Sequence, residues 1–366
     1  MKKSTLIIIV ILLAAVVAAG IFIFAKVGPK DNSKQGIDSD TVKVVMCGDC
    51  NSIDDGGFNE VTWNSIENVC DDNGIGCAYF LPESDKKKAL DKCVEEAVNV
   101  GAELIVLNGS DFEETAFDMQ KKFEDVKFIL VDGIPHDKDN NYSTGKNSVG
   151  VMFAEEEAGY MAGYAAVVEG YMNLGFMGGK SLPSVKRYGY GFIQGAAAAA
   201  AQTKTEGITI KYKYEETFEA TNEVKKDAGD WYKDGVQVIF ACGGGMGKAV
   251  MKAAENNQGL VIGVDVDQSG ESSTVIASAE KRLDTAVTDV IKDYLRDSFP
   301  GGSVFTYNSA NDGVALDSAG MKKFNDGAYK KLFNRIANGK VKLKKDKDVK
   351  SVEGLGSDNV KVDYIK

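Results

Sequence analysis

Residues 49–58 lie between a short apolar run and a helical pattern, and bring Asp49, Asn51, Ser52, Asp54, Asp55, Gly56, Gly57 and Phe58 into one turn. Carboxylates, a carboxamide and a hydroxyl in that setting can hydrogen-bond a polar ligand. An aromatic placed directly after two glycines either staples the helix start to the core or offers its face to a flat ligand. Further along, CGGGMGK at 242–248 follows another apolar run and precedes a helical pattern, as a phosphate loop would. Its spacing fails the triphosphate pattern, which needs four residues between the glycines and Ser or Thr after the lysine; Ala249 stands there. A dinucleotide fingerprint fails as well, because this run does not open its unit. What remains is a turn whose backbone can approach a ligand closely. Asp265-Val266-Asp267 ends the next run. Carboxylates two apart on a strand point to opposite faces, so one of the pair is expected to meet a ligand. Lys281 follows a further run, where it either pairs with such acids or lies on the surface.

Several chemistries are set aside by the residues present. The single histidine, His136, sits in the polar loop PHDKDNN and is expected to be solvated. One histidine removes most His-based metal sites, and a Ser/His/Asp triad built elsewhere in the chain. Cys47-x-x-Cys50 supplies two zinc ligands where four are needed, and it ends a strand whereas a thioredoxin-type motif opens a helix. Of six cysteines, Cys70 and Cys77 are the closest candidates for a disulfide, and buried free thiols are expected for most of the others. A net charge of −11 argues against a nucleic-acid surface. No cofactor and no metal are expected.

These residues need elements to hold them. Apolar runs at 42–46, 78–81, 104–107, 128–131 and 149–153 form one set; runs at 174–177, 208–214, 236–241 and 260–264 form another. Helical patterns lie between, which is the rhythm of βαβ units and parallel sheets covered on both faces. At 366 residues the chain holds two such lobes. They join near 153–157, and a tail from Thr274 (strand, helix over 283–295, short strands, C-terminal helix) crosses back between them. Residues 41–153 with about 278–310 are expected in lobe 1, and 154–277 with about 311–366 in lobe 2. At the start, Lys2 and Lys3 precede an unbroken apolar run over 6–25. That is the length a helix needs to cross roughly 30 Å of hydrocarbon, so 1–25 reads as a signal-anchor or transmembrane helix, with cleavage after Gly20 as the alternative. Residues 26–40 read as a flexible tether, and the positive-inside tendency puts the rest on the extracytoplasmic face of the cell membrane.

Several stretches together resemble one family. They are DDGGFNEVTW (54–63), GAELIVLNG (101–109), VKFILVDG (126–133), FAEEEAGYMAGYAA (153–166), LGFMGG (174–179), YGYGFIQG (188–195), and VIGVDVDQS (261–269) with VIFACGGGMG upstream. In this order they look like the basic membrane protein family of substrate-binding lipoproteins, whose members include purine nucleoside receptors of ABC transporters. Departures are the missing lipid-attachment cysteine and CGGG where a small-residue Gly pair is usual. The resemblance implies a type I periplasmic-binding-protein fold, α/β, with two doubly wound parallel-sheet lobes, a hinge and an interlobe ligand cleft. It implies a monomeric receptor that hands a purine nucleoside to an ABC permease and its ATPase. It places the base between Phe58 and Phe218, with Asp49, Asn59 and Asp132 hydrogen-bonding the base and Gly244, Asp265 and Lys281 holding the ribose. A ligand-sensing module for a membrane signalling partner, or a nucleoside-processing enzyme, remains the alternative.

Overall fold

A computed structural model describes residues 42–365; the apolar segment 6–25 and the tether 26–40 lie outside them. No helix among the described residues is long and apolar enough to cross a membrane.

β1 (Val42–Cys47) is buried along nearly its whole length because neighbours flank it on both sides and helices cover both faces. It opens a six-stranded sheet in the order β11-β5-β4-β3-β1-β2, built with β2 (Gly76–Phe80), β3 (Leu104–Asn108), β4 (Lys127–Val131), β5 (Ser148–Phe153) and β11 (Val304–Tyr307). All its pairings are parallel. The second sheet has seven strands, β12-β10-β9-β8-β6-β7-β13. These are β6 (Asn173–Gly178), β7 (Ile208–Tyr214), β8 (Val238–Cys242), β9 (Leu260–Asp265), β10 (Val275–Lys281), β12 (Val314–Asp317) and β13 (Val360–Tyr364). Only β12 runs antiparallel, against β10.

The chain crosses between sheets after β5, after β10 and between β11 and β12. The return to the first sheet, expected near 278, begins after Lys281, because β10 continues through that residue. Helix α8 (Leu283–Leu295) then packs on α1 (Phe58–Asn73) of the first lobe. The tail does not end in a helix: α9 (Asp326–Ala337) is followed by β13, an edge strand beside β7. Its alternating apolar and polar residues, VKVDY, fit one buried and one exposed face.

Two helices meet more closely than any others. α4 (Glu155–Glu169) carries Gly159 and Gly163, and α5 (Pro183–Thr203) carries Gly191 and Gly195, each pair one turn apart. A Cβ on Gly159 would stand 2.0 Å from Tyr188 O, and one on Gly163 1.9 Å from Phe192 O. From the other side, Gly191 would meet Glu156 O at 2.1 Å and Gly195 would meet Tyr160 O at 2.0 Å. The two backbones touch, and glycine is the residue that permits it.

Two further expectations need correction. His136 is packed, not solvated: its ring lies edge-on to Tyr142 at 5.1 Å and reaches Glu113 at 3.2 Å. All six cysteines are free thiols; Cys70 and Cys77 do meet, as a hydrogen-bonded pair without a covalent bond.

Candidate ligand-binding site

The carboxyl ends of both sheets face each other across a cleft, the place where open α/β sheets bind ligands. The cleft is narrow in this arrangement, with about 60 Å³ of cavity volume, and residues of both lobes line it.

The first wall grows from the turn after β1. Asp55 accepts from the backbone N–H of Gly57 (2.8 Å), Asn59 (3.0 Å) and Glu60 (3.2 Å), satisfying donors that the start of α1 leaves open. Burial pushes Asp55 up to about 6 against the pull of those donors. The cap fixes where Phe58 emerges, and its half-buried ring lines the cleft. Asp49 also lines the cleft; its Oδ1 accepts from Asn59 Nδ2 (2.6 Å) and from Asn51 N (2.9 Å). Asn59 stands behind the wall. Its amide donates to Asp49 and to Ser52 O, and its carbonyl accepts from Asp49 N and Asn108 Nδ2, so both ends are satisfied within the protein. The structure therefore gives Asn59 the task of orienting Asp49, with no capacity left for a ligand.

The second wall comes from lobe 2. Phe218 follows β7 and packs against Gly179, where a Cβ would come within 2.2 Å of its ring. Its own carbonyl accepts from Met246 N at 2.7 Å, tying the aromatic to the glycine turn after β8. Gly244 of that turn has a left-handed backbone (φ 48°) and lines the cleft with Gly243 and Gly245. Phe58 and Phe218 therefore belong to opposite walls of one cavity.

At one end sits a buried charge cluster. Lys281 Nζ lies 2.7 Å from Asp132 Oδ2 and 3.3 Å from Asp265 Oδ1, with about 3% of its side chain exposed. It is boxed by the rings of Phe58 (4.6 Å), Phe153 (5.5 Å) and Tyr188 (5.8 Å). Burial works against its charge, but Asp132, Asp265 and Glu155 together hold it above the usual lysine range. Burial pushes Asp265 up, opposed by Lys281. Behind, Glu155 bonds Arg187 Nε at 2.6 Å, and burial drives Glu155 up to about 7. Asp132 and Asp265 both hold positive φ, 63° and 69°. Such backbone costs about 1–3 kcal/mol and gathers at functional sites. Asp132 Oδ1 is buried without a partner, leaving an acceptor for a ligand hydroxyl or amine. Asp267, by contrast, turns outward to Ser269.

Sequence reasoning left out Tyr188, whose hydroxyl donates to Asp265 at 3.3 Å from helix α5, and Asp111, which lines the cleft. Nothing local marks Tyr188. Asp111 follows β3 as Asp49 follows β1 and Asp132 follows β4, so the carboxyl-edge rule applied to every strand would have found it. Among the described residues no cluster of His, Cys, Asp or Glu could hold a metal ion.

Known proteins are similar to this chain in fold and in sequence. The solved ABC transporter solute-binding protein of Aeropyrum pernix K1 superposes with a TM-score of 0.72 at 21% identity, over 84% of this chain and 94% of that one. The ABC transporter nucleoside-binding protein BmpA of Lactococcus lactis is 26% identical over 321 residues, 82% of this chain and 88% of that protein. Basic membrane protein A1 of Borrelia garinii is 30% identical over 282 residues, 75% of this chain and 80% of the relative. The model for PnrA-like ABC transporter substrate-binding proteins matches residues 42–353, which takes in the first sheet, all of the second except β13, and every cleft residue described above, so the chain belongs to that family.

Proposed function

We propose that this protein is the extracytoplasmic receptor of an ABC importer, that its cargo is a purine nucleoside, and that its N-terminal apolar run tethers it to the membrane beside the permease. One observation supports the cargo above the rest: a single cavity has an aromatic face on each wall and, at one end, a lysine between two carboxylates with an unpartnered acceptor. A purine has two flat faces, and stacking on aromatics is worth about 1–3 kcal/mol per base. A ribose diol offers two donors to a carboxylate, with the ammonium alongside for its oxygens. Asp132 and Phe58 come from lobe 1, Asp265, Lys281 and Phe218 from lobe 2, so a ligand touching both sets favours the closed form. The Lactococcus lactis relative is named for nucleoside binding, in line with this reading.

The proposed role is binding and release, with no chemistry on the cargo. Calorimetric titration of the detergent-solubilised full chain with adenosine, guanosine and inosine should give saturable binding, and chromatography should recover each nucleoside intact. Absence of binding to all three, or release of free base by the protein, would overturn the reading.

A further inference from the structure

The order of strands polarises the cleft. In lobe 1 the sheet runs β4-β3-β1, so Asp132, Asp111 and Asp49 follow one another along its carboxyl edge. Neighbouring strands are about 4.8 Å apart, which puts Asp132 and Asp49 about 10 Å from each other. In lobe 2 the order β10-β9-β8-β6 lines up Lys281, Asp265, the glycine turn and Lys180 in the same direction. Two separate groups of charge result. Asp132, Asp265 and Glu155 surround Lys281, whereas Asp49, Asp85 and Asp111 gather near Lys180, which bonds Asp85 at 2.5 Å.

The Lys180 end is short of donors and rich in acceptors. Asp111 lines the cavity and its carboxylate accepts no hydrogen bond within the described protein. Asp49 engages only Oδ1, leaving Oδ2. Phe218, one aromatic wall, lies at this end, with Lys180 5.8 Å from its centroid. The same cavity holds the buried, unpartnered Asp132 Oδ1 at its far end, where a second polar group of the same ligand would sit.

We propose that Asp111, together with the free oxygen of Asp49, determines specificity by selecting a base that presents two adjacent donors on one edge, the 2-amino-6-oxopurine of guanosine. This rests on the nucleoside reading above. Guanine offers N1–H and N2–H side by side, which two carboxylate oxygens can accept together. The carboxamide of Asn51, also lining the cavity, is a donor for O6. Adenine presents an amino group beside the N1 lone pair, and that lone pair set against a carboxylate is repelled. Inosine keeps N1–H alone and falls between. A site built to accept such donors rejects an analogue lacking them, because its half-buried acceptors are left unpaired once the ligand shuts out water.

The test is calorimetry on the full chain with guanosine, inosine and adenosine, for the natural protein and for Asp111→Asn. Removing this charge breaks no internal hydrogen bond, and a melting curve checks the fold. Guanosine should bind about tenfold or more tighter than adenosine, with inosine between. Asp111→Asn should weaken guanosine by a similar factor while leaving adenosine unchanged or tighter. Equal affinities in the natural protein, or equal losses for both nucleosides in the variant, overturn the specificity proposal alone. No binding of any nucleoside overturns the nucleoside reading, and this proposal with it.

Discussion

Lys281 balances two carboxylates in a place almost without water, and its removal exposes how much the cleft depends on that balance. Lys281→Met keeps the stem but leaves Asp132 and Asp265 facing each other. Breaking a buried pair from one side costs about 3–5 kcal/mol, so urea denaturation should show a loss of that size; a loss under about 1 kcal/mol would mean that the carboxylates find other partners. The aromatic walls make a different claim. Phe58→Ala and Phe218→Ala should each weaken purine nucleoside binding by about 1–3 kcal/mol, and Asp265→Ala should harm ribosides more than free bases, since only ribosides carry the diol. Calorimetry beside thermal melts separates these effects. If Phe58→Ala melts far lower yet binds with natural affinity, the ring is a staple. Types and order of residues made Phe58, Asp132, Asp265 and Lys281 legible as cleft residues through the family resemblance. Burial of Lys281, the left-handed backbone of both aspartates and the saturation of Asn59 were not legible, because each depends on neighbours brought together only by folding.

At the scale of elements, the apolar runs and helical spacings placed nearly every strand of both sheets, because strands buried on both faces announce themselves as unbroken apolar stretches. β13 was missed for the opposite reason: an edge strand with one wet face alternates over only five residues and follows a lysine-rich stretch. The switch after Lys281 also escaped, since β10 carries Glu280 and Lys281 inside a strand whose earlier residues are small and apolar. Glu280 gives this strand a pH signature. Burial first, then the carboxylates of Asp317 and Asp267, raise it to about 7. The folded state therefore holds this proton more tightly than the unfolded chain, and the group's contribution to stability declines as pH rises from its unfolded value, about 4.3, to about 7. Glu280→Gln should flatten that decline. Denaturant unfolding from pH 5 to 8 should show the variant gaining on the natural protein towards pH 8; parallel profiles would show that Glu280 titrates normally.

For the whole molecule, the lobes meet through contacts that need no ligand. Lys180 reaches Asp85, Gln268 Nε2 donates to Gly56 O at 2.9 Å and Lys248 Nζ to Asp54 O at 3.0 Å. Lys180 and Asp85 remain partly exposed, so the pair is worth about 0–1 kcal/mol. Lys180→Ala should raise the ligand-free radius of gyration in X-ray scattering and weaken nucleoside binding by no more than about fivefold; an unchanged radius would place the closing force elsewhere. Tethering has its own check. N-terminal sequencing of the membrane-bound protein should find the apolar run retained, and a start beyond Gly20 would mark it as a cleaved signal. The glycine seam between α4 and α5 bears on descent. Cleft residues answer to a cargo, and a lineage that changes cargo can exchange them one at a time. Gly159, Gly163, Gly191 and Gly195 answer to two touching backbones, and every other letter at those sites collides with a carbonyl. No single step leads away from such a spelling. Aligned relatives should therefore keep the four glycines after the residues around the ligand have diverged, and the seam becomes the part of this chain by which distant kin are recognised.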